Sequence, residues 1–374
     1  MIKKILSVFL SVLTVVALFI FNAEVNANAE TTDSEIIMEV HSGRVLYEKN
    51  CREKKHIASL TKIMTAIVVI ENTDLSETVT VPEKCCGIEG SSVYLKPNEK
   101  LSVEDLLYGL MLRSGNDCAE TLAVTLFGSI GAFAEKMNEK ARELGATDTN
   151  FVNPHGLYDG ENYSTAYDLA LITSYGMKNG EFRKIVGTKT KTIPDASTGG
   201  NRFLKNKNKL LFNYGACVGV KTGYTKKAGR CLAAAAVKDG TELVSVVLNC
   251  GPMYEVSEKN FENAFGKYKT VTLCDAEKFA YSASIGKDHT LYGYVKESFI
   301  YPLSESETAE VSVKNIPTEN IRLPVKKDQI IGRMEIYLKN QLIFSQNIYS
   351  ILDVGKKFDF FEAIKNWSIF KKTK

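Results

Sequence analysis

The stretch His56-Ile57-Ala58-Ser59-Leu60-Thr61-Lys62-Ile63-Met64-Thr65-Ala66 opens an apolar segment that continues through Ile67, Val68 and Ile70 with helical spacing. Ser59 and Lys62 stand three residues apart, so a helix brings the hydroxyl and the amine onto one face. They also fall at its start, where unpaired backbone N–H groups and the positive end of the helix dipole point at a reaction centre. Ser-x-x-Lys by itself says little, and the chain carries two more, Ser284 to Lys287 and Ser368 to Lys371. Context separates them: the second sits in strand-like sequence and the third in the last few residues. Only Ser59 heads an apolar helix.

Two further short motifs lie downstream. Ser114-Gly115-Asn116 comes 55 residues after Ser59, just past the apolar stretch Leu106 to Leu112. Lys221-Thr222-Gly223 occurs once, 162 residues after Ser59 and just before two apolar runs. A serine hydroxyl is a weak nucleophile until a neighbouring base takes its proton. Lys62 can be that base only when neutral, a state favoured by burial and by a second cation such as Lys221. Ser114 can relay the proton to a leaving amine, and Asn116 can hold Lys62 and a substrate amide. Lys221 and the Thr222 hydroxyl offer charge and a hydrogen bond to a carboxylate. Taken in this order, S-x-x-K, S-x-N and K-T-G form the set used by penicillin-reactive serine enzymes.

The chain resembles the low-molecular-mass penicillin-binding proteins, the serine-type D-alanyl-D-alanine carboxypeptidase family. The likeness extends around the motifs, through Leu106 to Asp117, Phe151-Val-Asn-Pro-His-Gly-Leu157 and Ser164 to Ala170, and covers about residues 34 to 250. It implies catalysis by Ser59, Lys62, Ser114 and Asn116, and substrate binding by Lys221, Thr222, Gly223 and Tyr224. The backbone N–H groups of Ser59 and Tyr224 would form the oxyanion hole. It further implies acyl transfer without metal or cofactor, on peptidoglycan stem peptides ending in D-Ala-D-Ala, with β-lactams as covalent inhibitors. Lys207 stands where some relatives carry Arg, keeping the charge without the bidentate fork. Tyr224 stands where several relatives have His. His155 reads as a turn residue within Asn153-Pro-His-Gly rather than as a base.

Around these motifs the sequence predicts an α/β fold, more closely α+β: an antiparallel sheet flanked by helices, then a small all-β domain and a C-terminal amphipathic helix. Residues 36–40 and 44–47 read as two strands about a turn, and Ser102 begins a helix with capping chemistry. Helical spacing runs from 118 to 144 with Gly interruptions, and 231–237 and 243–248 form a strand hairpin about Lys238-Asp239-Gly240-Thr241. Short alternating runs begin after about residue 270. The expected division is 1–29 export signal, 30–271 catalytic domain, 272–355 β-rich domain and 356–374 membrane-anchoring helix.

The 374-residue chain is 44% hydrophobic and 24% charged, which excludes a disordered, collagen-like or polytopic membrane protein. Its net charge of +3 is unevenly placed. Lys3, Lys4 and Glu24 give the first 29 residues +1, and six Lys against two acids give 356–374 +4, so the body between them carries −2. Basicity therefore sits at the ends, which disfavours nucleic acid as a partner. At the N-terminus, Lys3 and Lys4, the uncharged stretch Ile5 to Phe21 and Ala27-Asn28-Ala29 form an export signal, with a retained anchor as the alternative. At the C-terminus, Phe360, Phe361, Ile364, Trp367 and Phe370 gather on one helical face rimmed by Lys, suited to an anionic membrane surface. A terminal helix docked on the protein's own core is the competing reading. The enzyme is thus expected outside the cytoplasmic membrane, at the cell wall. Eight cysteines without a C-x-x-C pair, beside four His, argue against zinc and suggest small buried hydrophobes.

Two rival functions use the same residues. A β-lactamase needs a carboxylate to activate the deacylating water, and Glu161 is the nearest candidate. A β-lactam-sensing or wall-binding protein would keep the fold with an impaired catalytic set, whereas every motif residue is intact here.

Overall fold

A computed structural model describes residues 32–195, 198–285 and 289–355. The expected export signal, the amphipathic tail, and the Lys287 and Ser368–Lys371 ends of the other Ser-x-x-Lys motifs lie outside the described residues. The chain divides into two compact units at Ala264 and Phe265. The sequence alone puts this division at 271/272, where the alternating runs begin.

The first unit is built on a five-stranded antiparallel sheet of strands β1 (Thr32–Glu39), β2 (Val45–Lys49), β7 (Cys217–Thr225), β8 (Gly229–Lys238) and β9 (Thr241–Cys250), in the order β2-β1-β9-β8-β7. Two hairpins, β3 (Thr78–Thr80) with β4 (Lys100–Ser102) and β5 (Thr190–Asp195) with β6 (Gly200–Lys205), stand apart from it. Strand β1 pairs with β9, so the start of the unit closes onto its last strand. Strands β8 and β9 are buried on both faces, which is why they read as unbroken apolar runs rather than alternating ones. The Ala233–Ala236 run keeps the sheet surface low so that helices can lie close to it.

Helix α1 (Thr61–Asn72) is the hub. It is apolar almost all round, and Thr61 through Val69 are all buried, as an internal helix requires. Around it pack α2 (Val103–Leu112), α4 (Ile130–Glu143), α5 (Ala166–Met177) and α6 (Gly180–Gly187). Ser102 caps α2 by accepting from the Asp105 N–H at 3.1 Å. The helical sequence before α4 is a separate helix, α3 (Asn116–Phe127), and Ser129 caps the restart by accepting from Ala132 N–H. A helix not foreseen from the sequence, α7 (Met253–Lys267), follows β9.

The second unit pairs β10 (Lys269–Cys274) with β13 (Phe299–Leu303). Strands β11 (Tyr281–Ile285), β12 (His289–Tyr294), β14 (Val311–Pro317), β15 (Ile330–Leu338) and β16 (Gln341–Ser350) form a sheet in the order β11-β12-β16-β15-β14. Leu291, Ile331, Met334, Ile336 and Ile348 form its own core. All eight cysteines are free, and seven are buried.

Candidate active site

Ser59 lies in a 3-10 turn, Ala58–Leu60, that feeds directly into α1, so Lys62 falls in the first turn of the helix. The preceding residue, Ala58, is held at φ +47°, a left-handed conformation that L residues avoid, and this turns the Ser59 side chain out of the helix line. Ser59 is half-buried, whereas Lys62 has no exposed surface.

The Lys62 amine nitrogen has three oxygen neighbours. Asn116 Oδ1 lies at 2.7 Å, the His155 carbonyl oxygen at 2.6 Å and Ser59 Oγ at 3.2 Å. The first two can only accept. In a neutral amine those two acceptors would take both hydrogens and leave the lone pair toward the Ser59 hydroxyl. Burial, and then the Lys221 cation, push the Lys62 pKa far below that of an ordinary lysine. A low-pKa amine beside a serine hydroxyl is the arrangement a general base requires.

Asn116 is itself held by the loop before α2. Its Nδ2 donates to the Glu89 carbonyl at 2.6 Å, and its N–H donates to the Ser91 carbonyl at 2.8 Å. The neighbouring Asp117 carboxylate, fully buried, accepts from the Val93 and Leu95 N–H groups and from the Ser92 hydroxyl. Ser114 sits between α2 and α3 at φ +64° and is 4% exposed; its hydroxyl makes no hydrogen bond among the described residues.

The opposite wall is β7, the edge strand of the sheet, which leaves backbone groups available to an extended peptide. A Cβ on Gly223 would come within 3.1 Å of Ser59 N and of the Ile57 carbonyl, so any larger residue would push β7 and the nucleophile's turn apart by a few tenths of an ångström. Lys221 is 1% exposed, and its Nζ donates to the Thr222 carbonyl at 3.0 Å. Burial, and then the charge of Lys207, pull the Lys221 pKa down to about 7. Lys207 donates to Ser91 Oγ at 2.9 Å, so it stands close enough to act on both motif lysines. Tyr224 is 65% exposed.

The third wall is the turn within residues 151–157, whose backbone contact to Lys62 no residue type announces. Asn153 Oδ1 accepts from the His155 and Gly156 N–H groups and makes the turn 153–157 that presents the His155 carbonyl. Thr65 Oγ1 donates to the Pro154 carbonyl at 2.6 Å, so Lys62 and Thr65 fasten one face of α1 to this turn. Gly156 adopts φ +81°, and a Cβ there would lie 1.9 Å from the Ala58 carbonyl oxygen. The reading of His155 as a turn residue agrees with these bonds, but its carbonyl, not its ring, meets Lys62. Glu161 is exposed, and its carboxylate makes no hydrogen bond to Ser59 or Lys62. Among the described residues, no group of three or more His, Cys, Asp or Glu could hold a metal ion.

Comparison with known proteins places this geometry in a family. The pattern for D-alanyl-D-alanine carboxypeptidases matches residues 22–251, and that for the C-terminal domain of penicillin-binding protein 5 matches 268–356. The chain is 31% identical over 358 residues to D-alanyl-D-alanine carboxypeptidase DacF of Bacillus subtilis, covering 92% of each. It is 31% identical over 349 residues to DacA of Haemophilus influenzae, covering 87% of this chain and 86% of that one. The crystal structure of penicillin-binding protein 5 from Haemophilus influenzae superposes with a TM-score of 0.74 at 29% identity, over 87% of this chain and 98% of that one. Penicillin-binding protein 6B from Escherichia coli gives 0.67 at 26%, over 84% and 94%. With both units matched, the chain belongs to the D-alanyl-D-alanine carboxypeptidase family of serine peptidases.

Proposed function

We propose that this enzyme removes the terminal D-Ala from peptidoglycan pentapeptide stems through an acyl-enzyme on Ser59, and so limits cross-linking of the cell wall. The observation that carries the reading is the Lys62 amine, with two carbonyl acceptors on its hydrogens and Ser59 Oγ at 3.2 Å. The substrate's terminal carboxylate binds Lys221 and Thr222, and its backbone lies along the edge of β7. Lys62 takes the Ser59 proton as Oγ attacks the carbonyl carbon of the penultimate D-Ala. The Ser59 and Tyr224 N–H groups receive the developing oxyanion. Ser114 passes the proton from Lys62 to the departing D-Ala nitrogen as the C–N bond breaks. Water then hydrolyses the Ser59 ester and restores the hydroxyl.

A β-lactam offers the same carboxylate and carbonyl but keeps its leaving group tethered, so it acylates Ser59 and stays. The enzyme acts outside the cytoplasmic membrane, held there by residues 356–374 on an anionic lipid surface. Incubation with a peptide ending in D-Ala-D-Ala tests the activity: wild type releases free D-Ala and Ser59→Ala does not. Rapid penicillin turnover without D-Ala release would overturn it. Removing 356–374 should abolish binding to anionic vesicles and leave activity on soluble peptide, and unchanged vesicle binding would refute the anchor.

A further inference from the structure

Glu120 lies one turn after Asn116 on α3, so the two side chains leave the same face of that helix. Asn116 reaches the Lys62 amine directly. Glu120 reaches the residue on the other side of that amine: its Oε1 lies 3.2 Å from His155 Nε2. The other ring nitrogen, Nδ1, accepts from the Leu157 N–H at 3.1 Å. A ring nitrogen that accepts carries no proton, so in the neutral imidazole the proton is on Nε2, which donates to the Glu120 carboxylate.

Both side chains are largely enclosed, with 7% of His155 and 14% of Glu120 exposed. Burial pulls the His155 pKa down to about 3, so the ring stays neutral at working pH. The contact is therefore a hydrogen bond from a neutral ring, not an ion pair. Among the described residues, Glu120 is the only polar partner of this imidazole outside its own turn. The same residue's carbonyl oxygen lies 2.6 Å from Lys62 Nζ.

We infer that Glu120 is a positioning residue for acylation: by holding the His155 imidazole it fixes the His155 carbonyl, which takes one hydrogen of the Lys62 amine and so aims the lone pair at Ser59. The inference rests on the Ser59–Lys62 reading above. Helix α3 then sets both acceptors of the base, one by contact through Asn116 and the other through a histidine. Neither the S-x-x-K nor the S-x-N motif contains Glu120.

The test is the rate of acylation by a fluorescent penicillin, measured over a range of concentrations on the full enzyme. Glu120→Leu should lower the limiting acylation rate roughly tenfold while the half-saturating concentration stays put, because alignment is lost and binding is not. Glu120→Gln, whose amide oxygen still accepts from Nε2–H, should retain the rate to within about twofold. The double variant Glu120→Leu/His155→Leu should be no slower than His155→Leu alone, since one effect runs through the other. Should Glu120→Leu not fold, Glu120→Asp replaces it: the charge stays, the reach is lost and acylation slows. A Glu120→Leu enzyme that acylates at the wild-type rate overturns the inference. So do additive Glu120→Leu and His155→Leu effects, or a Glu120→Gln enzyme as slow as Glu120→Leu. If wild type itself takes no label at Ser59, the acyl-enzyme reading fails first. If it labels normally and the variants do not differ from it, only the role of Glu120 falls.

Discussion

The Lys62 amine and the Asn116 side-chain carbonyl, 54 residues apart in sequence, stand 2.7 Å from each other in the core of the first unit. A neutral acceptor at that point leaves the lysine free to lose its proton. A carboxylate there would hold the ammonium form instead. Asn116→Asp should therefore raise the Lys62 pKa, move the acid limb of the kcat/KM profile to higher pH, and cut activity at pH 7 by about 100-fold or more. An acid limb that does not move would show that Lys62 is not the base.

Lys221 supplies a second pH dependence of opposite sense. Its pKa is depressed to about 7 by burial and by Lys207, so its protonated fraction falls as pH rises through 7. In the proposed role, binding of a substrate carboxylate needs that proton. KM for a peptide with a free C-terminus should climb by up to about tenfold per pH unit above 7, while one with an amidated C-terminus should show no such climb. Lys207→Gln removes the like charge, raises the Lys221 pKa and should move the climb to higher pH. A KM that stays flat from pH 7 to 9 would remove Lys221 from carboxylate binding.

Gly156 allows the 153–157 turn to touch the turn that bears Ser59. With φ at +81° and the Ala58 carbonyl 1.9 Å from where a Cβ would stand, Gly156→Ala must push the two turns apart. Acylation by penicillin should fall by about 100-fold. Gly160→Ala, where nothing lies within 4 Å of the added carbon, should behave as wild type. Equal rates for the two variants would mean that the close approach is unimportant.

The Asp117 carboxylate gathers the Val93 and Leu95 N–H groups and the Ser92 hydroxyl while fully buried. Asp117→Ala leaves these donors without an acceptor, and each buried unsatisfied donor costs about 1–3 kcal/mol. Thermal unfolding should occur several degrees earlier, and hydrogen exchange at the Val93 and Leu95 amides should accelerate. Unchanged protection there would place the loop's stability elsewhere.

The elements legible in the sequence were those whose signal is local. Ser59 and Lys62 at a helix start, the Ser102 cap, and the β8–β9 hairpin about Asp239-Gly240 all rest on neighbours a few residues apart. The three motifs also named Ser59, Asn116 and Lys221, which the fold brings near Lys62. What was missed depends on backbone atoms and distant packing. The His155 carbonyl carries no residue-type signal, and the Glu89 and Ser91 carbonyls that hold Asn116 are no different. Helix α7 is the exception: buried Met253, Val256, Phe261, Ala264 and Phe265 stand at helical spacing, a local signal the sequence does contain. Gly156 could have been suspected from Pro154-His155-Gly156, where a glycine follows a turn, although its partner Ala58 lies 98 residues away.

The proposed covalent bond to Ser59, made with Lys62 as the base, is read by intact-mass measurement after brief exposure to benzylpenicillin. Wild type should gain the mass of one penicilloyl group, found after digestion on the peptide containing Ser59. Ser59→Ala should gain none, and Lys62→Met should gain it more slowly by orders of magnitude. An adduct on any other residue, or an undiminished adduct in the Ser59→Ala enzyme, would contradict the account.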